Sequence, residues 1–384
     1  MREGDAIVKP LREFNPGMGA KRLVTWYRRQ RRDLPWRRTR DPYHIWISEI
    51  MLQQTQVSTV IPYYRKFLAR FPSLASLAAA PEEAVLAAWS GLGYYRRARN
   101  LHAAALRIGA EHGGKLPRAV ELLRRLPGIG RYTAGALASI AFDLPQAALD
   151  GNAERVLARL LVTRGDVGSA PIRKKLEATV LAMMRECRPS EITQGLMELG
   201  ALICVPLNPA CDLCPLARRC GARRDRLQNH LPEAKPGRPI ERKQAAVAIL
   251  RRGGTYLMLR RAPGDLMAGL WEFPGDVLRP RETAGEGLKR VGRERLSLAI
   301  AARRRVARFS QSITYRRIQV SAYEATLAEP SRPDWKLPPD ARWLSPRQVA
   351  RFPHGSATAR LLRLLEEPPK PKRLRLRVSA DASP

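Results

Sequence analysis

Four cysteines, Cys204, Cys211, Cys214 and Cys220, follow the spacing C-x6-C-x2-C-x5-C. So compact a set of thiols fits four thiolates closing on one soft metal centre, which selects zinc or an iron–sulfur cluster over harder ions. Two structural zinc pairs would normally read C-x2-C twice, and only Cys211 and Cys214 make such a pair. The graded spacing suits a 4Fe–4S cubane, although it is not the ferredoxin spacing; zinc is the alternative. Disulfides fit poorly in a chain with five cysteines and no leader. The fifth, Cys187, lies in a helical stretch and reads as an ordinary thiol.

The chain has 384 residues, enough for two or three domains, and a 45% hydrophobic content that can build real cores. Its net charge of +34 far exceeds what solubility needs, so a polyanionic partner is expected, nucleic acid first. Part of that excess can reflect an arginine-rich composition. No apolar run of about eighteen residues and no secretory leader is present, so neither membrane insertion nor secretion is expected. The expected setting is a reducing cytoplasm.

Residues 20–230 read as almost continuous helix with short Pro and Gly breaks. Residues 1–19 form an N-terminal extension, and 231–243 (LPEAKPGRPIERK) an exposed linker. The period then changes: AAVAIL, TYLMLRR and RIQVSAYEA are strand-like, and a helix closes near Ala357 to Glu366. Residues 244–367 are therefore an α+β domain, and the basic, proline-rich 368–384 a disordered tail.

Several segments carry chemistry. Leu126-Pro-Gly-Ile-Gly-Arg-Tyr-Thr133 places Gly128 and Gly130 between helices, so that backbone N–H groups at a helix start can hold a phosphate, as in a helix-hairpin-helix. In IWISEIMLQQTQ, Glu49 has apolar neighbours Ile45, Trp46 and Leu52 one turn away; burial raises a carboxyl pKa, as a general acid near neutrality requires. Asp150 or Asn152 suits the N-cap of the helix AERVLARLL, and capping does not exclude catalysis. One protonated and one ionised carboxyl group is the usual arrangement for cleaving a glycosidic bond. Leu92-Gly-Tyr-Tyr-Arg-Arg-Ala-Arg99 joins paired tyrosines to three arginines, a wedge-and-phosphate composition, with Gln53 and Gln54 able to reach base edges.

Together, LPWR, SEIMLQQTQV, GLGYYRRARNLH, LPGIGRYTAGA, LDGNAERVLAR, MELGALIC and the cysteine loop resemble the MutY family of adenine DNA glycosylases, in the helix-hairpin-helix superfamily. The resemblance implies a multidomain fold. An all-α glycosylase module would consist of a six-helix barrel over about 43–138 and an iron–sulfur lobe from 20–42 and 139–230, with the cluster loop at 204–220. An α+β nudix-like domain would follow.

It also implies a monomeric base excision repair enzyme acting on double-stranded DNA with adenine opposite 8-oxoguanine or guanine, cytoplasmic and nucleoid-associated. Glu49 would be the general acid at N7 and later activate water, and Asp150 would stabilise the sugar cation or trap it covalently. Tyr132 stands where the bifunctional endonuclease III family has a lysine, so a monofunctional hydrolase is expected. Trp36, Arg37, Leu52, Gln194 and Met197 would line the adenine pocket, Gln53 and Tyr94 would intrude at the lesion pair, and Asn152 would support the centre. Glu154 replaces a lysine of some relatives, without expected consequence.

Gly269-Leu-Trp-Glu-Phe-Pro-Gly275 resembles the family's nudix-like domain, but GLKRVGRERL lacks the acidic helix that holds magnesium, so binding without hydrolysis is expected. Relatives read 8-oxoguanine through a Phe-Ser-His loop. Here Ile313, Thr314 and Tyr315 take that place, with Phe309-Ser-Gln311 as the competing register. The rival readings are a lyase-competent glycosylase for oxidised pyrimidines, a non-catalytic iron–sulfur DNA-binding protein, and, through the C-terminal half, a nucleotide hydrolase.

Overall fold

Asn15 opens the first helix by accepting a hydrogen bond from the Met18 N–H at 3.0 Å, with Pro16 at the first helical position. Helix α1 (Pro16–Gln30) therefore begins inside the expected N-terminal extension, because the cap and the proline act before the apolar periodicity becomes visible. The computed structural model describes residues 14–233, 238–262, 267–328 and 336–366. The expected tail, residues 1–13 and residues 234–237 of the expected linker lie outside them.

The chain divides into two units, 1–237 and 238–384. In the first, α1 is followed by α2 (Pro42–Leu52), α3 (Val57–Arg70), α4 (Leu74–Ala78), α5 (Glu82–Ala88), α6 (Arg96–Glu111), α7 (Val120–Arg125) and α8 (Arg131–Ala136). Helix α2, capped by Asp41, is buried on nearly every side from Ile45 to Met51, so it must be a central helix of its lobe. Around it, α3 turns in Val60, Tyr64 and Phe67, and α6 turns in Ala98, Leu101, Ala105 and Ile108, each at helical spacing. A π-helical segment, Leu137–Ala141, ends α8.

An extended run then leads to α9 (Gly151–Leu160), α10 (Ala170–Met184), α11 (Pro189–Leu202) and the short α12 (Gly221–Arg224). Helix α1 returns to pack against α10 and α11. This second lobe is therefore discontinuous in sequence, with Leu23, Val156, Leu157, Leu176, Val180, Leu196 and Leu199 in one core.

The second unit holds β1 (Glu241–Ile249), β2 (Arg251–Arg252), β3 (Thr255–Arg260), β4 (Trp271–Glu272), β5 (Gly275–Val277), α13 (Ala284–Leu296), β6 (Ile300–Ile313), β7 (Arg316–Leu327), β8 (Ala341–Leu344), α14 (Pro346–Val349) and α15 (Ser356–Glu366). One sheet has the order β5-β1-β7-β6, with β1 and β7 parallel; in the other, β3 pairs with β2, β4 and β8. Strand β1 starts at Glu241, so the linker ends three residues before its expected boundary. Glu241, Arg242 and Lys243 pair with Arg316, Arg317 and Ile318, and their charge disguises a strand as a linker.

Candidate active site

Helix α2 delivers Glu49 from the barrel lobe, and the N-terminus of α9 delivers Asp150 from the other; both line one cavity of about 420 Å³. Trp36, Arg37, Leu52, Gln53, Tyr132, Asn152, Gln194 and Met197 line it too. Tyr94 lies outside that lining, 46% exposed on its loop.

The close approach of α9 to α11 depends on Gly200, where a Cβ would come within 2.5 Å of the Asn152 Cβ and 2.9 Å of its carbonyl oxygen. Only a missing side chain lets α11 present Gln194 and Met197 across from Asp150.

Burial pushes the Glu49 carboxyl up to about 7, a hydrogen bond from Tyr132 at 2.7 Å holds it down, and the neighbouring Asp150 charge raises it further. A group with that pKa is partly protonated at neutral pH and can give a proton away. Burial also raises Asp150, but its ionised form is supported by the Ala153 N–H at 2.7 Å and the Asn152 amide at 3.1 Å. Asp150 is thus the N-cap of α9 and a wall of the cavity at once, with the positive end of the helix dipole behind its charge. Tyr132 is held far above its usual pKa, chiefly by burial, and remains a donor.

Arg37 is not a free pocket residue. Its two Nη atoms donate to Glu198 at 2.8 Å each, and Arg32 donates to the same carboxylate at 3.0 and 2.7 Å. Burial opposes the charge of Glu198, yet the bonds from Arg37 and Arg32 hold its pKa at about 2. The sequence reading missed Glu198. A carboxylate in the otherwise apolar stretch GLMELGALI is the signal that could have found it.

Other residues bind the site together. Arg155 donates to the Asn152 side chain and the Gly200 carbonyl, each at 2.8 Å, and to the Cys204 carbonyl at 2.7 Å. One turn on, the buried Arg159 donates to the carbonyls of Leu231, Val205 and Pro206 at 2.8, 2.7 and 2.6 Å and to the Cys204 sulfur at 3.3 Å. The helix that begins at Asp150 therefore also anchors the cysteine loop. Glu154, on its first turn, pairs with Arg173 at 3.4 Å.

Cys204, Cys211, Cys214 and Cys220 all face one small cavity of about 20 Å³ beside Arg159. Four thiols around one space, with no carboxylate or imidazole among its lining residues, fit a soft, thiolate-bound centre. Among the described residues, no three Cys, His, Asp or Glu side chains gather tightly enough for a single metal ion. Cys187 packs on the core of its lobe, away from that cavity.

Between α7 and α8, Gly128 has φ +74°, and a Cβ there would sit 2.6 Å from the Asn100 Cβ, so glycine is required. Gly130 is the exposed N-cap residue of α8. In the second unit, Thr314 (φ +54°) and Tyr315 form the two-residue turn between β6 and β7, with Tyr315 between Arg238 and Arg316. In the competing register, Phe309 is buried within β6. The acids near α13 are engaged locally: Glu282 with Arg290 at 2.8 Å, and Glu286 in the capping box with Thr283.

Two buried carboxyl groups lining one cleft between helical lobes, beside a helix-hairpin-helix, are the arrangement of a base excision DNA glycosylase. Residues 47–180 match the HhH-GPD superfamily of base excision DNA repair proteins, and 245–364 match the NUDIX domain. The adenine DNA glycosylase of Homo sapiens is 32% identical over 400 residues, covering 90% of this chain and 73% of that protein. That of Mus musculus is 33% identical over 398 residues, covering 90% and 77%. That of Buchnera aphidicola subsp. Baizongia pistaciae is 43% identical over 199 residues, 52% of this chain and 56% of that protein. The chain belongs to the adenine DNA glycosylase family. Among the described residues, no helix is long and apolar enough to cross a membrane.

Proposed function

We propose that this protein removes adenine mispaired with 8-oxoguanine, or with guanine, from double-stranded DNA, and that it does so as a monofunctional hydrolase. The observation that carries this reading is Glu49: a buried carboxyl with a pKa of about 7, sharing one cavity with Asp150. Extruding an adenine from the stack costs a few kcal/mol, less at a mispair. Gly128 and Gly130 would hold backbone phosphate through their amides, and Gln53 and Tyr94 would fill the space that the base leaves. A cavity of about 420 Å³ is ample for a purine, with Trp36, Leu52 and Met197 as apolar walls and Gln194 and Arg37 as polar ones.

Glu49 gives its proton to N7 of the extruded base. The bond from N9 to C1′ then breaks with its electron pair going to the purine, which leaves as neutral adenine. The ionised Asp150 stabilises the sugar cation. Water adds to C1′, and the Glu49 carboxylate takes up the proton released, restoring the enzyme. Tyr132 offers no amine for Schiff-base attack, so the strand stays intact after base loss.

Cys204, Cys211, Cys214 and Cys220 would hold a 4Fe–4S cluster, supplying no step of the hydrolysis and fixing the loop Pro215 to Arg224 against DNA phosphates. The nudix-like unit would read the opposite base, with Ile313, Thr314 and Tyr315 at its hairpin tip as the contact. The protein would act as a monomer in the cytoplasm, at the nucleoid.

A defined duplex with one adenine opposite 8-oxoguanine, scored for free adenine and then separately for strand scission, tests the reading. Free adenine with intact strands until base or heat is added is expected; scission without treatment would establish the lyase instead.

A further inference from the structure

Arg97, the second residue of α6, spends nearly all its donors inside the protein. Nη1 donates to the carbonyl oxygens of Ile50 at 2.9 Å, Met51 at 3.0 Å and Gln53. Nη2 donates to the carbonyls of Leu92 and Gly93, both at 3.3 Å, and to the Thr55 hydroxyl at 3.2 Å. The guanidinium also lies 5.4 Å from the centres of the Trp89 and Tyr94 rings. Its sequence context suggests a phosphate contact, and these bonds correct that.

The acceptors come from two separate segments. One is the C-terminus of α2, where unpaired carbonyls and the negative end of the helix dipole favour a cation. The other is the turn before α6. Both carry residues in the left-handed region: Gln54 at φ +56° in the first, and Gly91, Gly93 and Tyr94 at +101°, +72° and +49° in the second. Non-glycine residues hold that conformation only where their surroundings enforce it. Trp89 is fully buried, whereas Tyr94 is half exposed, so the guanidinium is the floor on which an outward ring rests.

We infer that Arg97 is a positioning residue for base extrusion, locking the Gln53–Gln54 turn and the Gly93–Tyr94 turn into one rigid wedge. The inference rests on the reading above that Gln53 and Tyr94 enter the duplex. Lysine cannot substitute, because a single ammonium cannot bridge two sets of carbonyls in a plane and stack between two rings. Glu49 lies one turn back on α2, so the test must separate holding the wedge from holding the acid.

The experiment uses the full chain under single-turnover conditions, comparing wild type with Arg97→Lys, Tyr94→Leu and the double variant. Two duplexes carry adenine opposite 8-oxoguanine and a neighbouring 2-aminopurine, one with paired flanks and one with mismatched flanks. On paired flanks, Arg97→Lys is expected to slow both the fluorescence change and adenine release about tenfold, since extrusion costs a few kcal/mol and each ~1.4 kcal/mol is tenfold. Mismatched flanks should restore release to within about threefold of wild type, because the unstacking cost is then already met. The alkaline limb of the pH profile should not move, and Arg97→Lys should add little to Tyr94→Leu, as coupled residues do.

Slow release that persists on mismatched flanks, a displaced pH limb, or additive effects in the double variant would overturn the inference and leave Arg97 a support for Glu49. If Arg97→Lys does not fold, Thr55→Val removes one of its acceptors, together with the hydroxyl's own bond to the Gln53 carbonyl. It should give a smaller slowing with the same rescue, and no slowing overturns the inference. Wild-type release by both Tyr94→Leu and Gln53→Ala on paired flanks would instead defeat the wedge reading itself.

Discussion

The phenol of Tyr132, from the first turn of α8, donates a hydrogen bond to Oε2 of Glu49 on α2 at 2.7 Å. Tyr132 is thus a direct partner of the buried Glu49 carboxyl, lowering its proton affinity and fixing its orientation together.

Tyr132→Phe removes a bond that favours the ionised form of Glu49, so the Glu49 pKa should rise. A hydrogen bond to a charged group contributes about 1.5–3 kcal/mol, and about 1.4 kcal/mol changes a proton affinity tenfold. With Glu49 as the proposed proton donor, the alkaline limb of adenine release is expected near 7 in the wild type and should move up by about one pH unit in the variant. A limb that stays in place in single-turnover pH profiles would deny Tyr132 this function.

Glu49→Gln should lower the rate of base release by about 10²-fold or more, the usual contribution of a positioned proton donor. It should also stabilise the fold at alkaline pH. The folded carboxyl binds its proton more tightly than the unfolded one, so stability is fully present below the ordinary carboxylate range and is lost as pH rises to about 7. Removing the charge avoids a loss of up to ~3 kcal/mol. Urea midpoints at pH 8 and pH 4.5 measure this: the variant should exceed wild type at the first and match it at the second.

Glu198→Ala leaves Arg32 and Arg37 facing each other without their shared carboxylate, whose side chain is fully buried. Breaking a buried pair costs about 3–5 kcal/mol, and freeing Arg37 should slow adenine release as well. The sign with pH is opposite to that of Glu49: the depressed pKa contributes stability above the ordinary carboxylate range that is lost as pH falls through about 2. The deficit should be full at pH 7 and shrink towards pH 3, read from thermal midpoints.

Cys214→Ser should abolish the broad visible absorbance of the purified protein and lower its iron content. Zinc in place of iron in the wild-type protein would contradict the cluster. Because Arg155 and Arg159 tie the cysteine loop to the helix that starts at Asp150, losing the loop should also weaken duplex affinity, measured at several salt concentrations since phosphate contacts release counterions.

Much was legible in the chain itself. The cysteine spacing, the glycines of LPGIGR, the apolar setting of Glu49 and the change of period near residue 244 are statements about neighbours in sequence. Short-range patterns encode helices, caps and turns because those depend on residues within a turn or two. Strand β6 escaped because its arginines, Arg303 to Arg305, are all exposed where its pairing with β7 shifts register, which breaks the alternation a strand would show, and α1 because its proline and cap precede its apolar face.

Tertiary structure alone decided which charges face which. Arg37 meets Glu198, Tyr132 meets Glu49, and Arg97 turns away from solvent to join its own preceding turn to the distant end of α2, and no neighbour in sequence announces the far partner. Whether a charged side chain reaches DNA or is spent inside depends on which distant carbonyls and carboxylates burial places beside it. The sequence by itself determined the chemistry available; folding assigned each group its dielectric surroundings and its partner, and so brought the Glu49 carboxyl, in the cavity it shares with Asp150, to a proton affinity near neutrality.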